Sequence, residues 1–277
     1  HMAVRAARSA LEKRGIGPDE IDLIIVATVT PDSPVPGTAP LVQKKLGATN
    51  CWGFDVNGGC CGFLCALTTG AQFIESGKCR KVLVIGADKM SSILDYKDRN
   101  TCVLFGDAAG AVLLEPSEGD DFGILDSILR MDGIGANYLN VRGGGSLNPS
   151  SHETVDQGMH YVFQDGKTVF KYAVTGMTDV ARRIIDENGL TAGDVKLMVP
   201  HQANRRIIDA VSDRLGLTPE QVAVNIHKYG NTTAATIPMA MNESYLEGKL
   251  ERGDRVVLAA FGAGFIWGSV LMRWAMD

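Results

Sequence analysis

The chain has 277 residues, 45% hydrophobic and 21% charged, which is ordinary globular composition with enough apolar surface for one large core or two fused ones. A formal charge of -5 argues against wholesale nucleic-acid binding, which needs a broad basic face, and leaves room only for a local basic patch. No apolar stretch approaches the roughly 18 residues of a membrane span, and no basic segment leads into an apolar run at the N-terminus, so a soluble cytoplasmic protein is expected.

Periodicity predicts a helix over 3–14, then a nearly continuous apolar strand over 21–28 and a helix over 38–46. A strand over 51–56 leads into a helix over 60–76, and strands follow at 81–86 and within 103–114. Residues 117–165 are rich in Gly, Asn, Ser and Asp and read as connecting loops and excursions over a site. Beyond them come a helix over 168–189, a strand over 195–199, a helix over 203–215, a strand over 222–226, a helix over 235–248, and strands over 255–260 and within 261–272. Apolar runs of this kind suit strands covered by helices on both faces, so a layered α/β protein is predicted.

The two ends repeat one grammar. Gly17-Pro18-Asp19-Glu20-Ile21-Asp22 before one strand matches Ala192-Gly193-Asp194-Val195 before another. The helices that follow end in Leu46-Gly47 and Leu215-Gly216, and Phe105-Gly106-Asp107 and Phe261-Gly262-Ala263 each precede an apolar strand. Two duplicated β/α halves are therefore expected, an N-terminal one over 1–116 and a C-terminal one over 166–277, joined by 117–165.

Six cysteines, Cys51, Cys60, Cys61, Cys65, Cys79 and Cys102, show no C-x-x-C pairing, so reduced thiols fit better than a disulfide framework or a zinc site. Asn57-Gly58-Gly59-Cys60-Cys61-Gly62 passes from a strand through two glycines into a helix. That puts Cys60 at a helix start, where free N–H groups and the helix dipole are expected to lower its pKa from the ordinary value of about 8.5. Cys61 competes for the role of nucleophile, and the remaining cysteines read as core packing.

His201 follows the strand 195–199 at its carboxyl end, the edge where open α/β sheets bind ligands. Asn231 sits in the turn Tyr229-Gly230-Asn231-Thr232 before a helix of small residues. Alone, the first is an ordinary hydrogen-bonded histidine and the second a helix cap. A turn-borne Cys, a strand-end His and a turn-borne Asn at corresponding edges of two similar units together point to nucleophilic chemistry.

These motifs, with Val199-Pro200-His201-Gln202-Ala203-Asn204, Gly230-Asn231-Thr232 and Phe261-Gly262-Ala263-Gly264-Phe265, resemble those of the β-ketoacyl-acyl-carrier-protein synthase III family. The resemblance implies a five-layered αβαβα thiolase-like fold, a homodimer, and no metal or redox cofactor. It also implies transfer of an acyl group from coenzyme A to Cys60, then decarboxylating condensation with malonyl-acyl carrier protein, with His201 and Asn231 binding the malonyl thioester oxygen. Backbone N–H groups of Cys60 and Ala263 match the family's oxyanion hole, and Phe261 an aromatic residue that promotes decarboxylation. Ala263 replaces a glycine, which is harmless at negative φ and strained at positive φ. Asn204 resembles a pantetheine contact, and Arg206, Arg214 and Lys171 match a basic surface for the acidic carrier protein.

Family members carry about fifty further N-terminal residues with a first strand, and loss of a central strand is expected to leave neighbouring backbone groups unpaired. The rival readings are a starter-unit or head-to-head condensing enzyme, a non-condensing acyltransferase that passes the acyl group to oxygen or nitrogen, and a non-catalytic partner that only binds the carrier protein.

Overall fold

A computed structural model describes residues 1–117, 119 and 122–276. In chain order it contains α1 (Met2–Arg14), β1 (Leu23–Ala27), α2 (Thr38–Leu46), β2 (Trp52–Val56), α3 (Gly62–Glu75), β3 (Val82–Lys89) and β4 (Asp107–Leu114). There follow β5 (Gly123–Met131), β6 (Leu139–Val141), α4 (His152–Asp156), β7 (Val162–Gln164), α5 (Gly166–Glu187), β8 (Leu197–Pro200) and α6 (Arg205–Leu215). The chain closes with α7 (Ile226–Tyr229), α8 (Thr236–Leu246), β9 (Arg255–Gly262) and β10 (Ile266–Arg273).

Two four-stranded sheets, ordered β2-β1-β3-β4 and β5-β10-β9-β8, carry the fold. Strands β1 and β3 are parallel and β4 runs against β3, just as β8 and β9 are parallel and β10 runs against β9. Three apolar clusters show how the layers stack. One packs α1 and α2 on the outer face of the first sheet, one packs α3 and α8 between the sheets, and one packs α5 and α6 on the outer face of the second. The result is the predicted five-layered αβαβα arrangement, and burial of β1 and β3 on both faces explains their unbroken apolar runs. The repeated Leu-Gly endings have a local cause. Gly47 and Gly216 close α2 and α6 at φ 83° and 73°, a left-handed conformation that glycine adopts without strain.

Three expectations need correction. Residues 117–165 are more than connecting loops: β5 is a nine-residue strand that pairs along β10, so this stretch supplies the C-terminal sheet with its edge. Part of that stretch, at 118, 120 and 121, lies outside the described residues. The predicted strand over 222–226 reduces to one parallel bridge between Val222 and Met198, because the chain turns into α7 at Ile226. The first sheet is continuous from β2 to β4, with no gap at its centre. Where β5 covers β10 in the second sheet, no described strand covers the matching edge of β4, so the two halves differ at an edge. Among the described residues no helix is long and apolar enough to cross a membrane.

Candidate active site

The turn that carries Cys60, the candidate nucleophile, is built by close backbone approach. Residues Gly59–Cys61 form a single 3-10 turn, and α3 begins only at Gly62. Gly59 has φ +56°, and a Cβ there would lie 2.6 Å from Ala263 N. From the other side, a Cβ on Gly262 would lie 2.5 Å from Cys60 N and 2.8 Å from Cys61 N. The end of β9 is thus pressed against the turn, bringing the N–H groups of Cys60 and Ala263 into one neighbourhood. Ala263 itself is not at positive φ, so its methyl group carries no backbone strain. A Gly262→Ala substitution is expected to push the Cys60 turn away and lower the rate of acyl transfer by about 100-fold, as misplacement near 1 Å does. Pre-steady-state acylation kinetics check this.

Cys60 is 8% exposed, and burial together with the nearby Asp88 charge pushes its thiol up to about 12. The shift thus runs opposite to the expected lowering at a helix start: α3 starts two residues later, and burial is the largest cause. Cys61 is fully buried in the central core, its thiol raised by a hydrogen bond with Cys65 and by burial. That orientation leaves Cys60 as the cysteine on the site side of the turn.

His201 is 1% exposed at the end of β8, where its backbone N–H donates to Ala259 O at 2.7 Å. Burial drops its pKa from the ordinary 6.5 to about 3, so the ring is neutral. Its Nδ1 lies 2.7 Å from Thr236 Oγ1, and that hydroxyl donates to Thr233 O at 3.0 Å. A hydroxyl has one proton to give: while Thr236 gives it to Thr233 O, the imidazole proton sits on Nδ1 and the lone pair on Nε2, and when the hydroxyl turns to Nδ1 the two are exchanged. Because the unfolded ring takes up a proton near pH 6.5 and the folded ring does not until about 3, His201 favours the folded state fully above pH 6.5. That contribution is lost as pH falls through this window, at about 1.4 kcal/mol per unit. Urea midpoints from pH 7 to 4 should therefore fall less steeply for His201→Gln than for the unsubstituted protein.

Asn231 is held on every side. Its N–H donates to Leu104 O at 2.8 Å and its carbonyl accepts from Gly106 N at 2.9 Å, so Leu104 and Gly106 grip its backbone from either side of Phe105. A Cβ on Gly106 would lie 2.2 Å from Tyr229 O, which accounts for glycine in that motif. Asn231 Oδ1 accepts from Thr233 N at 2.9 Å. A backbone N–H can only donate, so the amide is fixed with its oxygen toward Thr233, and no described residue accepts from Nδ2. The Gly59–Cys61 turn touches both β9, to which His201 is bonded at Ala259 O, and the 3-10 turn Thr233–Ala235 that follows Asn231.

The other predicted positions are more varied. Phe261 is buried with its ring against Phe265 and Trp267, at centroid distances of 4.8 and 6.2 Å. Asn204 caps α6, its side chain accepting from Arg206 N at 2.9 Å. Arg206 is exposed and lies 5.5 Å from the Phe170 ring centroid, while Lys171 and Arg214 are exposed on the adjoining helices. Among the described residues none of these three cations has an ion-pair partner, whereas neighbouring Arg205 is paired with Asp209 at 2.7 Å. Gln202, quoted only as part of a motif, bonds Pro200 O and Ala223 O through Nε2 and receives Asn225 N and Ile226 N at Oε1, tying β8 to the following loop.

Sequence reasoning missed Asp88, which is 1% exposed at the end of β3. It accepts hydrogen bonds from Thr28 Oγ1, Val29 N, Thr30 Oγ1, Thr233 Oγ1 and Ala234 N. Burial raises its pKa while these donors hold it down. The one available signal was an aspartate closing an otherwise apolar strand.

Two like-built α/β halves that meet at a cysteine turn, a buried neutral imidazole and an oriented amide define a thiolase-like condensing enzyme. The model of 3-oxoacyl-(acyl-carrier-protein) synthase III matches residues 54–133, and the model of that enzyme's C-terminal part matches 185–274. β-Ketoacyl-(acyl-carrier-protein) synthase III of Koribacter versatilis is 58% identical over 99% of this chain and 83% of its own length. The Chlorobaculum tepidum enzyme of that name is 57% identical over 99% and 84%. The crystal structure of 3-oxoacyl-(acyl-carrier-protein) synthase III from Aquifex aeolicus superposes with a TM-score of 0.89 at 42% identity, covering 98% of this chain and 83% of that one. The chain belongs to the β-ketoacyl-acyl-carrier-protein synthase III family.

Proposed function

We propose that the chain condenses a short acyl primer, carried by coenzyme A, with malonyl-acyl carrier protein through an acyl-Cys60 intermediate. In the first half-reaction Cys60 sulfur attacks the thioester carbonyl, the coenzyme A sulfur leaves, and the thiol proton goes with it. The thiol stands near 12 and the imidazole near 3. Burial raises the thiol and lowers the imidazole, so each shift opposes transfer of the proton between them at rest. A preformed thiolate–imidazolium pair is thereby disfavoured, and the proton leaves Cys60 as the new C–S bond forms. The oxyanion that develops is served by the N–H groups of Cys60 and Ala263, each worth on the order of 3 kcal/mol in comparable sites.

In the second half-reaction the malonyl carboxylate leaves as carbon dioxide, and its electron pair passes into an enolate. That carbon attacks the acyl-Cys60 carbonyl, and the released Cys60 sulfur takes a proton. The single observation that carries this reading is the orientation of Asn231: with Oδ1 committed to Thr233 N, Nδ2 is the donor left for the thioester oxygen. Donation from His201 needs the proton on Nε2, a tautomer that Thr236 supports when its hydroxyl turns from Thr233 O to Nδ1. Phe261 would favour loss of the carboxylate by keeping water out. Exposed, unpaired Lys171, Arg206 and Arg214 suit an acidic carrier protein, and a cytoplasmic homodimer completes the reading.

The test is incubation with radiolabelled acetyl-coenzyme A, peptide mapping of the label, and addition of malonyl-acyl carrier protein. Label on Cys60 followed by acetoacetyl-acyl carrier protein supports the reading. Label without carbon–carbon bond formation would make the chain an acyltransferase instead.

A further inference from the structure

Among the described residues Thr233 alone, glycines aside, has positive φ, at 51°. For a β-branched residue this costs on the order of 1–2 kcal/mol, so the surrounding structure must impose it. Its three polar groups face three parts of the site. The N–H donates to Asn231 Oδ1 at 2.9 Å. The carbonyl accepts from Thr236 Oγ1 at 3.0 Å, and that oxygen is the partner of His201 Nδ1 at 2.7 Å. The hydroxyl donates to Asp88 Oδ2, beside Ala234 N at 3.1 Å. One backbone unit thus orients both groups that face the malonyl thioester, and a buried carboxylate from the other half of the molecule holds that unit in place.

We propose that Asp88 and Thr233 are a positioning pair for the decarboxylating half-reaction, fixing Asn231 through the strained backbone of Thr233 and, before the Thr236 hydroxyl turns to Nδ1, seating that hydroxyl against His201. The inference rests on the decarboxylating reading above. Asp88 suits the task because a carboxylate is acceptor-only. Oδ1 takes Val29 N, Thr28 Oγ1 and Thr30 Oγ1 from the loop after β1, and Oδ2 takes the two donors of the 233–234 turn. An asparagine would turn an amide N–H toward one of these donor sets and break one side of the clamp.

The experiment uses T233V, which keeps the branched shape and loses the hydroxyl, T233S, which restores the hydroxyl, and T233G, which takes positive φ without strain. D88N is the isosteric change on the other partner. Each protein is acetylated on Cys60, the acetylated fraction is measured by mass spectrometry, and release of labelled carbon dioxide from malonyl-acyl carrier protein is followed in a single turnover per acetylated site. T233V, T233G and D88N are expected to release carbon dioxide about 10- to 100-fold more slowly, with T233S within about threefold of the unsubstituted enzyme. A merely structural role would reduce the amount of folded, acetylated protein and leave the rate per acetylated site unchanged. T233V or T233G within about threefold of the unsubstituted rate would overturn the proposal, as would a variant that folds, by its thermal melt, yet takes up no acetyl group, since the pair would then serve the first half-reaction. An unsubstituted enzyme that releases no carbon dioxide would sink the condensing reading itself, and the positioning pair with it.

Discussion

Cys60→Ala is expected to abolish covalent acyl transfer, with acylation falling by at least about 10⁴-fold, while the protein folds as before. Cys60 sits on a turn that Gly59 and Gly262 already fix through backbone contacts, so removing its sulfur takes away the proposed nucleophile and little packing. Cys61→Ala should do the reverse. Its side chain is fully buried in the central core and bonded to Cys65, so its loss opens a small cavity and costs about 1 kcal/mol of stability. Acyl transfer should survive within a few-fold. Intact-mass measurement after acetyl-coenzyme A treatment, with thermal melts of both variants, checks the pair. An acetyl group retained by Cys60→Ala and lost by Cys61→Ala would exchange the two assignments.

The contrast between adjacent cysteines also marks where the sequence runs out. The turn through Gly58 and Gly59 was legible because a strand, two glycines and an apolar helix are local features. The direction of the Cys60 pKa shift was not, since it depends on how deeply β9 and the 233–235 turn bury the sulfur, and those segments lie far along the chain. The helices α1, α2 and α6 were read close to their observed limits because each buries one periodic face and ends in a glycine. Strand β5 escaped notice because it is largely half-exposed and shows no continuous apolar run. His201 and Asn231 stood out as polar residues at strand ends, whereas Asp88 reaches Thr233 across 145 positions and leaves no spacing to detect. Local pattern revealed polar residues at strand ends better than the distant residues that hold them.

Asn231→Ala should separate the two half-reactions most sharply. Acetyl-Cys60 should form at close to the unsubstituted rate, because the oxyanion donors proposed for that step are backbone N–H groups on the Cys60 turn and at Ala263. Decarboxylation should fall by about 10²- to 10³-fold, the usual cost of removing one aimed donor from a site that excludes water. The enolate needs that donor more than the starting thioester does, so the loss should appear in kcat and leave the KM for malonyl-acyl carrier protein nearly unchanged. His201→Ala is expected to fall in the same range, and the double variant should be little worse than either single one. In the proposed reading both groups serve one oxygen, so they are expected to act as a unit and their effects not to add. The competing outcome is a multiplicative loss in the double variant together with slow acylation in His201→Ala. That result would assign the imidazole lone pair on Nε2 to proton removal from Cys60, and leave Asn231 alone to stabilise the enolate.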